Sequence, residues 1–173
     1  VLNGVRQAIN SYSSAHSPEL LIFFAKRNYK KVVEICIDQT KKKVPVIAGT
    51  GSNNTEEAID LTRHAEKVGA DAALIVTPYY NKPTQRGMYE HFESISKNSS
   101  IPIIIYNIPG RSVINMTNDT MKKLFKLKNI VGVKDATADI PRVYSSRIGI
   151  GKDFNLLTGD DATCFAFMLY GGN

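Results

Sequence analysis

The chain has 173 residues, of which 43% are hydrophobic and 22% are charged. This length and composition suffice for one folded domain and argue against an intrinsically disordered chain. The formal net charge of +6 admits nucleic acid as a partner, but the lysines fall on helix-like segments without interleaved aromatic residues or a DNA-binding motif. We therefore expect no nucleic-acid partner.

The sequence lacks the features of membrane, secreted, metal-binding and disulfide-rich proteins. The sequence has no apolar run long enough to cross a membrane, and its first residues lack the layout of a signal peptide. No metal-ligand spacing links its two cysteines and three histidines, which are Cys36, Cys164, His16, His64 and His91. We expect a cytoplasmic protein without a membrane partner, a metal or a disulfide framework, and with its histidines on the surface.

From residue 29 onward, apolar strand-like runs alternate with helical patterns. Strands are predicted at 44–49, 72–77, 101–106, 130–136 and 154–158. These strands are apolar throughout, which is typical of a parallel sheet covered on both faces. Residues 1–28 show no clear pattern, so we divide the chain into a divergent N-terminal stretch at 1–28 and a partial (β/α) barrel domain at 29–173.

Helix signals lie between the strands. The first helix is given an apolar side by Val32, Val33, Ile35, Cys36 and Ile37. Asn54 with Glu57 three residues later predicts the start of the second helix, and Gly69 predicts its end. Thr117 predicts the start of a later helix.

A doubly wound open sheet is the alternative architecture, although no Gly-rich phosphate fingerprint follows the first strand.

The strand at 130–136 carries a lysine, Lys134, near its end. Apolar surroundings lower the pKa of an amine, and a lysine deprotonated near neutral pH can attack a carbonyl to form a Schiff base. On this stretch alone, a lysine that points into water is at least as good an interpretation. However, other strand ends offer Tyr80, Tyr106 and Arg111, and barrel enzymes collect their chemistry where strands end. Together these residues favour a carbonyl-chemistry site.

Five segments resemble, in order, motifs of the dihydrodipicolinate synthase family, the 4-hydroxy-tetrahydrodipicolinate synthases. They are Gly-Thr-Gly-Ser-Asn at 49–53, Val-Thr-Pro-Tyr-Tyr-Asn-Lys-Pro at 76–83, Tyr-Asn-Ile-Pro-Gly-Arg at 106–111, Gly-Val-Lys-Asp-Ala at 132–136 and Thr-Gly-Asp-Asp at 158–161. The resemblance implies an α/β fold, a (β/α)8 TIM barrel of the aldolase type, with about strands three to seven present. It also implies condensation of pyruvate with L-aspartate-4-semialdehyde in lysine and diaminopimelate biosynthesis, without a cofactor.

The resemblance also implies roles for individual catalytic residues. Lys134 matches the lysine that forms the Schiff base with pyruvate, and Tyr106 the tyrosine that relays protons. Tyr80 matches the tyrosine that reaches across a tight dimer interface into the neighbouring site. The family usually forms tetramers built from such dimers. Arg111 matches the arginine that holds the carboxylate of the second substrate.

Two further groups of residues follow from the resemblance. Gly159 and Asp160 lie where the family lines its substrate pocket. Asn53, Glu57 and Tyr79 match part of the dimer-interface site at which some members bind lysine as a feedback inhibitor. Taken one at a time, Tyr79 and Tyr80 could be loop aromatics, Arg111 a surface charge, and Asp160 with Asp161 a helix cap.

The sequence also departs from the family pattern. It contains no Gly-Thr-Thr-Gly-Glu stretch, whose threonines belong to the family's proton relay. The first and eighth strands are not recognised either. Because the threonine arm of the relay is missing, we expect the isolated chain to be inactive or very weak. The alternatives are therefore an inactive truncated remnant, a fragment that needs a complementing chain, or a related pyruvate-dependent aldolase such as a sialic-acid lyase. Arg111 favours the synthase over the lyase.

Overall fold

The computed structural model describes residues 26–173, with side chains described from Tyr29 onward. Its elements, in chain order, are α1 (Lys26–Thr40), β1 (Ile47–Gly49), α2 (Thr55–Val68), β2 (Ala72–Val76), α3 (Gln85–Lys97), β3 (Ile103–Asn107), α4 (Pro109–Ser112), α5 (Asn118–Leu124), β4 (Ile130–Asp135), α6 (Ile140–Ile150), β5 (Asn155–Thr158) and α7 (Cys164–Leu169). The predicted alternation of strands and helices is confirmed. None of the described helices has the length and apolar content to cross a bilayer. Of the predicted N-terminal stretch at 1–28, residues 1–25 lie outside the described residues.

The five strands form one parallel sheet in the order β1-β2-β3-β4-β5. Each strand pairs with the next one along the chain, and helices connect them. A doubly wound sheet instead reverses its strand order at a switch point. The unbroken order is therefore that of a barrel, as predicted.

Both faces of the sheet are covered by apolar side chains. The helix-facing core includes Phe92, Ile95, Ile103, Ile105, Met121, Leu124, Val133 and Phe154, all fully buried. On the opposite face, Ala72 and Ile104 pack with Ile47, Leu74 and Leu157. Burial on both faces explains why the strands are apolar throughout instead of alternating.

Helix α2 begins and ends at the predicted residues. Asn54 caps its start by accepting a hydrogen bond from the Glu57 amide at 3.1 Å. The Glu57 carboxylate accepts from Ser52 Oγ at 2.6 Å, so the cap extends into the preceding loop. Gly69 ends the helix with φ at +95°, a conformation that glycine adopts without steric cost.

The predicted apolar side of α1 is partly wrong. Val33 is buried, but Val32 is 44% exposed, Ile35 is 49% exposed and Cys36 is also exposed. The stripe that packs against Ala48, Leu61 and Ala65 consists of Tyr29, Val33 and Ile37. These residues recur every four positions and so lie on one side of the helix.

The expected surface position of the histidines is wrong for His91. Its side chain is 5% exposed, and its Nδ1 lies 2.9 Å from Thr55 Oγ1, which links α3 to the start of α2. Burial lowers the pKa of His91 to about 4. His64 is partly buried near Glu34, and His16 lies outside the described residues.

Candidate active site

The carboxyl ends of β3 and β4 bring Tyr106 and Lys134 together. The two residues are in register on neighbouring strands, and Lys134 is also in register with Leu157 on β5. Residues in register on parallel strands point to the same face of the sheet. Lys134 Nζ lies 4.6 Å from the centre of the Tyr106 ring, which is cation–π geometry for a protonated amine.

Partial burial of Lys134 shifts its protonation equilibrium toward the neutral amine, relative to a lysine in water. Burial lowers the pKa of Lys134 below the ordinary lysine value of 10.5, because an ammonium loses hydration there. The carboxylate of Asp161, in the loop after β5, acts in the opposite direction and raises it. The direction agrees with that expected for a lysine at an apolar strand end. Asp161 was not among the predicted site residues, although it ends the Thr-Gly-Asp-Asp motif.

Gly159 lies against both side chains. Its amide donates to Asp135 O at 2.7 Å, which holds the loop after β5 close to the end of β4. A Cβ at this position would come within 2.8 Å of Ala136 Cβ, 3.2 Å of Lys134 Cε and 3.4 Å of a Tyr106 ring carbon. The missing side chain therefore gives Lys134 and Tyr106 the space that they occupy.

The carboxylate of Asp160, the residue after Gly159, accepts hydrogen bonds from within its own loop. Its Oδ2 accepts hydrogen bonds from the Thr163 amide at 2.9 Å and from Thr163 Oγ1 at 2.6 Å. This arrangement orders the turn before α7. Asp160 thus lies beside the site, and the predicted pocket-lining role remains a prediction.

Arg111 and Tyr80 lie in the connections that follow β3 and β2, at the same end of the sheet. Arg111 is exposed in the last turn of α4, which follows β3. Tyr80 lies in the loop after β2, and Thr77 in that loop donates its amide to Tyr106 O at 2.9 Å. The Tyr80 side chain is 89% exposed, on a backbone with φ at +67°, which is uncommon for a residue with a side chain. The roles of Arg111 and Tyr80 stay predictions.

The three residues of the expected lysine-inhibitor site form a second cluster. Burial raises the pKa of the Tyr79 hydroxyl, the Glu57 carboxylate raises it further, and a backbone hydrogen bond from Asn53 opposes both effects. Ser52, which donates to Glu57, and Asn81, whose Nδ2 donates to Asn53 O at 2.9 Å, complete the cluster. Neither was predicted, although both lie within the quoted motifs.

The reactive group beside Tyr106 and Gly159 is the amine of Lys134. No group of three or more His, Cys, Asp or Glu side chains within residues 29–173 could hold a metal ion. An amine with a lowered pKa, beside a phenol and next to a glycine that leaves room, can add to a carbonyl carbon.

The chain as a whole is similar to known proteins of one family. The sequence model of the dihydrodipicolinate synthetase family matches residues 22–173. The chain belongs to this family. A curated relative, the 4-hydroxy-tetrahydrodipicolinate synthase of Bradyrhizobium diazoefficiens, is 63% identical over 145 residues, which cover 84% of this chain and 49% of that protein. The chain spans about half the length of the curated relatives it matches.

Solved structures agree with this assignment. The dihydrodipicolinate synthase of Acinetobacter baumannii, complexed with pyruvate, is 43% identical with a TM-score of 0.85, over 88% of this chain and 52% of that one. The Cyanidioschyzon merolae enzyme with lysine bound is 39% identical with a TM-score of 0.85, over 88% and 52% of the two chains. The fold is the aldolase-type TIM barrel, of which the described residues form five consecutive strands and their helices.

Proposed function

We propose that the chain acts as a 4-hydroxy-tetrahydrodipicolinate synthase, which condenses pyruvate with L-aspartate-4-semialdehyde through a Schiff base on Lys134. The observation that carries this proposal is the Lys134 amine at the end of β4, packed against the Tyr106 ring with a pKa lowered by burial. The 63% identical relative and the pyruvate complex of the A. baumannii enzyme support it. A cytoplasmic place in lysine and diaminopimelate biosynthesis is part of the proposal.

The chemistry begins with the neutral amine. Lys134 Nζ adds to the keto carbon of pyruvate, and the resulting carbinolamine loses water to give the imine. The imine makes the pyruvate methyl group acidic, and loss of a proton gives an enamine that attacks the aldehyde carbon of the second substrate. Tyr106 is assigned the transfer of protons to and from the adduct, which its position beside Lys134 supports.

Substrate recognition falls to the loops around Lys134. The guanidinium of Arg111 offers a planar pair of donors that suits the carboxylate of the semialdehyde. Gly159 leaves the space beside Lys134 and Tyr106 in which the adduct would form. Asp160 keeps the Gly159 loop in place through its bonds to Thr163 and is assigned to the pocket wall.

A homo-oligomer is part of the same proposal. The exposed side chain of Tyr80 is available to reach a neighbouring copy, as expected for a tetramer built from tight dimers. The cluster of Asn53, Glu57 and Tyr79 combines a carboxylate, a phenol and backbone groups, which suit the ammonium and carboxylate groups of lysine. The lysine-bound C. merolae structure supports this assignment.

The proposal is tested by trapping the imine. The chain is incubated with pyruvate, reduced with borohydride and digested, and the modified peptide is located by mass spectrometry. We expect the adduct on Lys134 and its loss in Lys134→Arg, which replaces the amine with a guanidinium that stays protonated and cannot add to the carbonyl. A folded sample, verified by circular dichroism, that yields no adduct on Lys134 would contradict the proposal.

Turnover is a separate question, because the 173 residues contain no Gly-Thr-Thr-Gly-Glu stretch. Trapping needs only a neutral amine and a carbonyl, whereas condensation also needs proton transfer. We expect weak or undetectable turnover of pyruvate and the semialdehyde by the chain alone. Rapid turnover that is abolished by Lys134→Ala would contradict this expectation, and release of pyruvate from sialic acid would favour the aldolase alternative.

A further inference from the structure

A buried ion pair lies directly behind the site lysine. Asp135 follows Lys134 on β4, so its side chain points to the opposite, helix-facing side of the sheet. Its carboxylate accepts from Arg142 Nε of α6 at 2.9 Å, and the two side chains are only 7% and 11% exposed. Neither residue belongs to the site as described so far.

The carboxylate of Asp135 is engaged by several elements at once. Its Oδ1 accepts from the Thr137 amide at 2.9 Å and from Thr137 Oγ1 at 2.5 Å, both in the loop that follows β4. Its Oδ2 accepts from Asn107 Nδ2 at 3.4 Å, in addition to Arg142. Asn107 follows Tyr106 on β3, so the network joins the two strand ends that carry Lys134 and Tyr106.

The network also reaches the loop that carries Arg111. Arg142 Nη2 donates to Met116 O, and the Met116 amide donates to Asn107 Oδ1 at 3.0 Å. Asn107 Nδ2 donates to Asn115 Oδ1 at 2.9 Å. The carboxyl ends of β3 and β4, the end of the Arg111 loop and the start of α6 are therefore held by one set of hydrogen bonds.

We propose that Asp135 and Arg142, acting through Asn107, are positioning residues that hold the Lys134 amine against the Tyr106 ring. A buried ion pair stabilises a fold little compared with apolar residues of the same size, because desolvation of the charges offsets their attraction. Its directional bonds instead fix where the two strand ends lie. This inference rests on the proposed role of Lys134, and it extends the site to the helix-facing side of the sheet.

The test uses three variants of the full chain: Asp135→Asn, Arg142→Gln and the double variant, which keeps the net charge. The readout is the rate of Lys134 acetylation by acetic anhydride as a function of pH, from peptide mass spectrometry, and it needs no pyruvate. If the pair positions Lys134, all three variants release the amine toward water. The midpoint of its pH profile then rises in each.

A purely electrostatic influence gives a different pattern. Loss of the Asp135 charge would lower the midpoint of Lys134, while loss of the Arg142 charge would raise it. Opposite shifts in the two single variants would therefore overturn the proposal. Unchanged midpoints in variants with lowered melting temperatures would also overturn it, because the pair would then serve stability alone.

Pyruvate trapping separates this inference from the proposed function. We expect the trapping rate to fall by up to about a hundredfold in the variants, since a displacement of about 1 Å can cost this much. If the unaltered chain gives no adduct but the midpoints still rise, the proposed function fails and the positioning role stands. If the unaltered chain gives the adduct and the variants trap pyruvate with the same rate and midpoint, the positioning role fails alone.

A matched control lies at the other end of the same strand. Asn129→Ala removes hydrogen bonds from Asn129 Nδ2 to the carbonyls of Ser96, Ser99 and Ile101. We expect this variant to lose stability without a change in the Lys134 midpoint. If either single variant fails to fold, the charge-neutral double variant supplies the decisive comparison with Asn129→Ala.

Discussion

The two ends of β4 use polar side chains for different purposes. At the amino end, Asn129 Nδ2 donates to three backbone carbonyls, and its Oδ1 accepts from Ser96 Oγ at 2.5 Å. These bonds connect the end of α3 and the segment before β3 to the start of β4. At the carboxyl end, the amine of Lys134 is packed against an aromatic ring and a glycine. The first arrangement satisfies backbone groups, and the second desolvates an amine.

This difference separates stability from chemistry along a single strand. Hydrogen bonds to carbonyls that are shielded from water prevent the cost of leaving them unsatisfied, which reaches about 1–3 kcal/mol for a fully buried group. Burial of an amine instead disfavours its charged form, because the ammonium loses hydration at a cost in free energy. The carboxyl end is therefore where a functional explanation is needed, which is also the end at which barrel enzymes carry their active sites.

The largest effect is expected from Tyr106→Phe. Phenylalanine keeps an aromatic ring beside Lys134 but removes the hydroxyl that would transfer protons. We expect the exchange of pyruvate methyl protons with deuterated water, followed by proton NMR, to slow by about 10²–10⁴-fold. An unchanged exchange rate would remove Tyr106 from the relay, and Asn129→Ala is the control that should exchange normally.

The second-largest effect is expected on stability, and it comes from His91, which lies on α3 and not at either end of β4. His91 titrates at about 4 in the folded chain and near 6.5 when unfolded, so the unfolded state binds a proton first as the pH falls. The free energy of unfolding should therefore decrease between these two pH values, by up to about 3 kcal/mol. Urea unfolding over this range measures the change, and His91→Gln should flatten it. An equally steep change in His91→Gln would assign it to other groups.

The third effect compares two glycines. In Gly159→Ala the new Cβ would press on Ala136 and on the Lys134 side chain, so we expect pyruvate trapping to fall by about a hundredfold. Gly149, on α6, has no atom within 4 Å of a Cβ position. Gly149→Ala should therefore trap pyruvate normally and gain about 0.5–1 kcal/mol of stability, because alanine favours helices. Equal trapping by the two variants would show that the space beside Lys134 is not restricted.

The smallest effect is expected from Asn129→Ala itself. The Ser96, Ser99 and Ile101 carbonyls lose a shared donor. Because these bonds are only part-buried, water replaces part of them, and unfolding in urea should become easier by about 1–3 kcal/mol in total. Trapping of pyruvate at Lys134 should not change. A loss of trapping out of proportion to the loss of stability would mean that the two ends of β4 are coupled.

Much of the fold could be predicted because its signals are local. The apolar runs gave each strand to within three residues at either end, and Asn54 and Thr117 both cap helices as expected. The register of Lys134 with Tyr106 follows once both residues are placed at the ends of adjacent parallel strands. These features depend on short sequence windows or on the barrel pattern.

The remainder depends on contacts between distant parts of the chain. The exposed side of α1 could not be inferred, because its apolar residues are spread around the helix and only packing against α2 selects the buried stripe. His91 is buried next to Thr55, which is 36 residues away. The bond from Arg142 to Met116 spans 26 residues, so the network behind Lys134 has no short motif.

The central claim is that partial burial at the end of β4 lowers the pKa of the Lys134 amine below that of an ordinary lysine. The most direct test is a pH titration of its ε-carbon by NMR, in the chain labelled with ¹³C-lysine and assigned with Lys134→Arg. We predict a midpoint below the ordinary lysine value of 10.5, because burial disfavours the ammonium. A midpoint at or above that value would show that Lys134 is solvated or paired as an ammonium, and the proposed Schiff-base site would lose its physical basis.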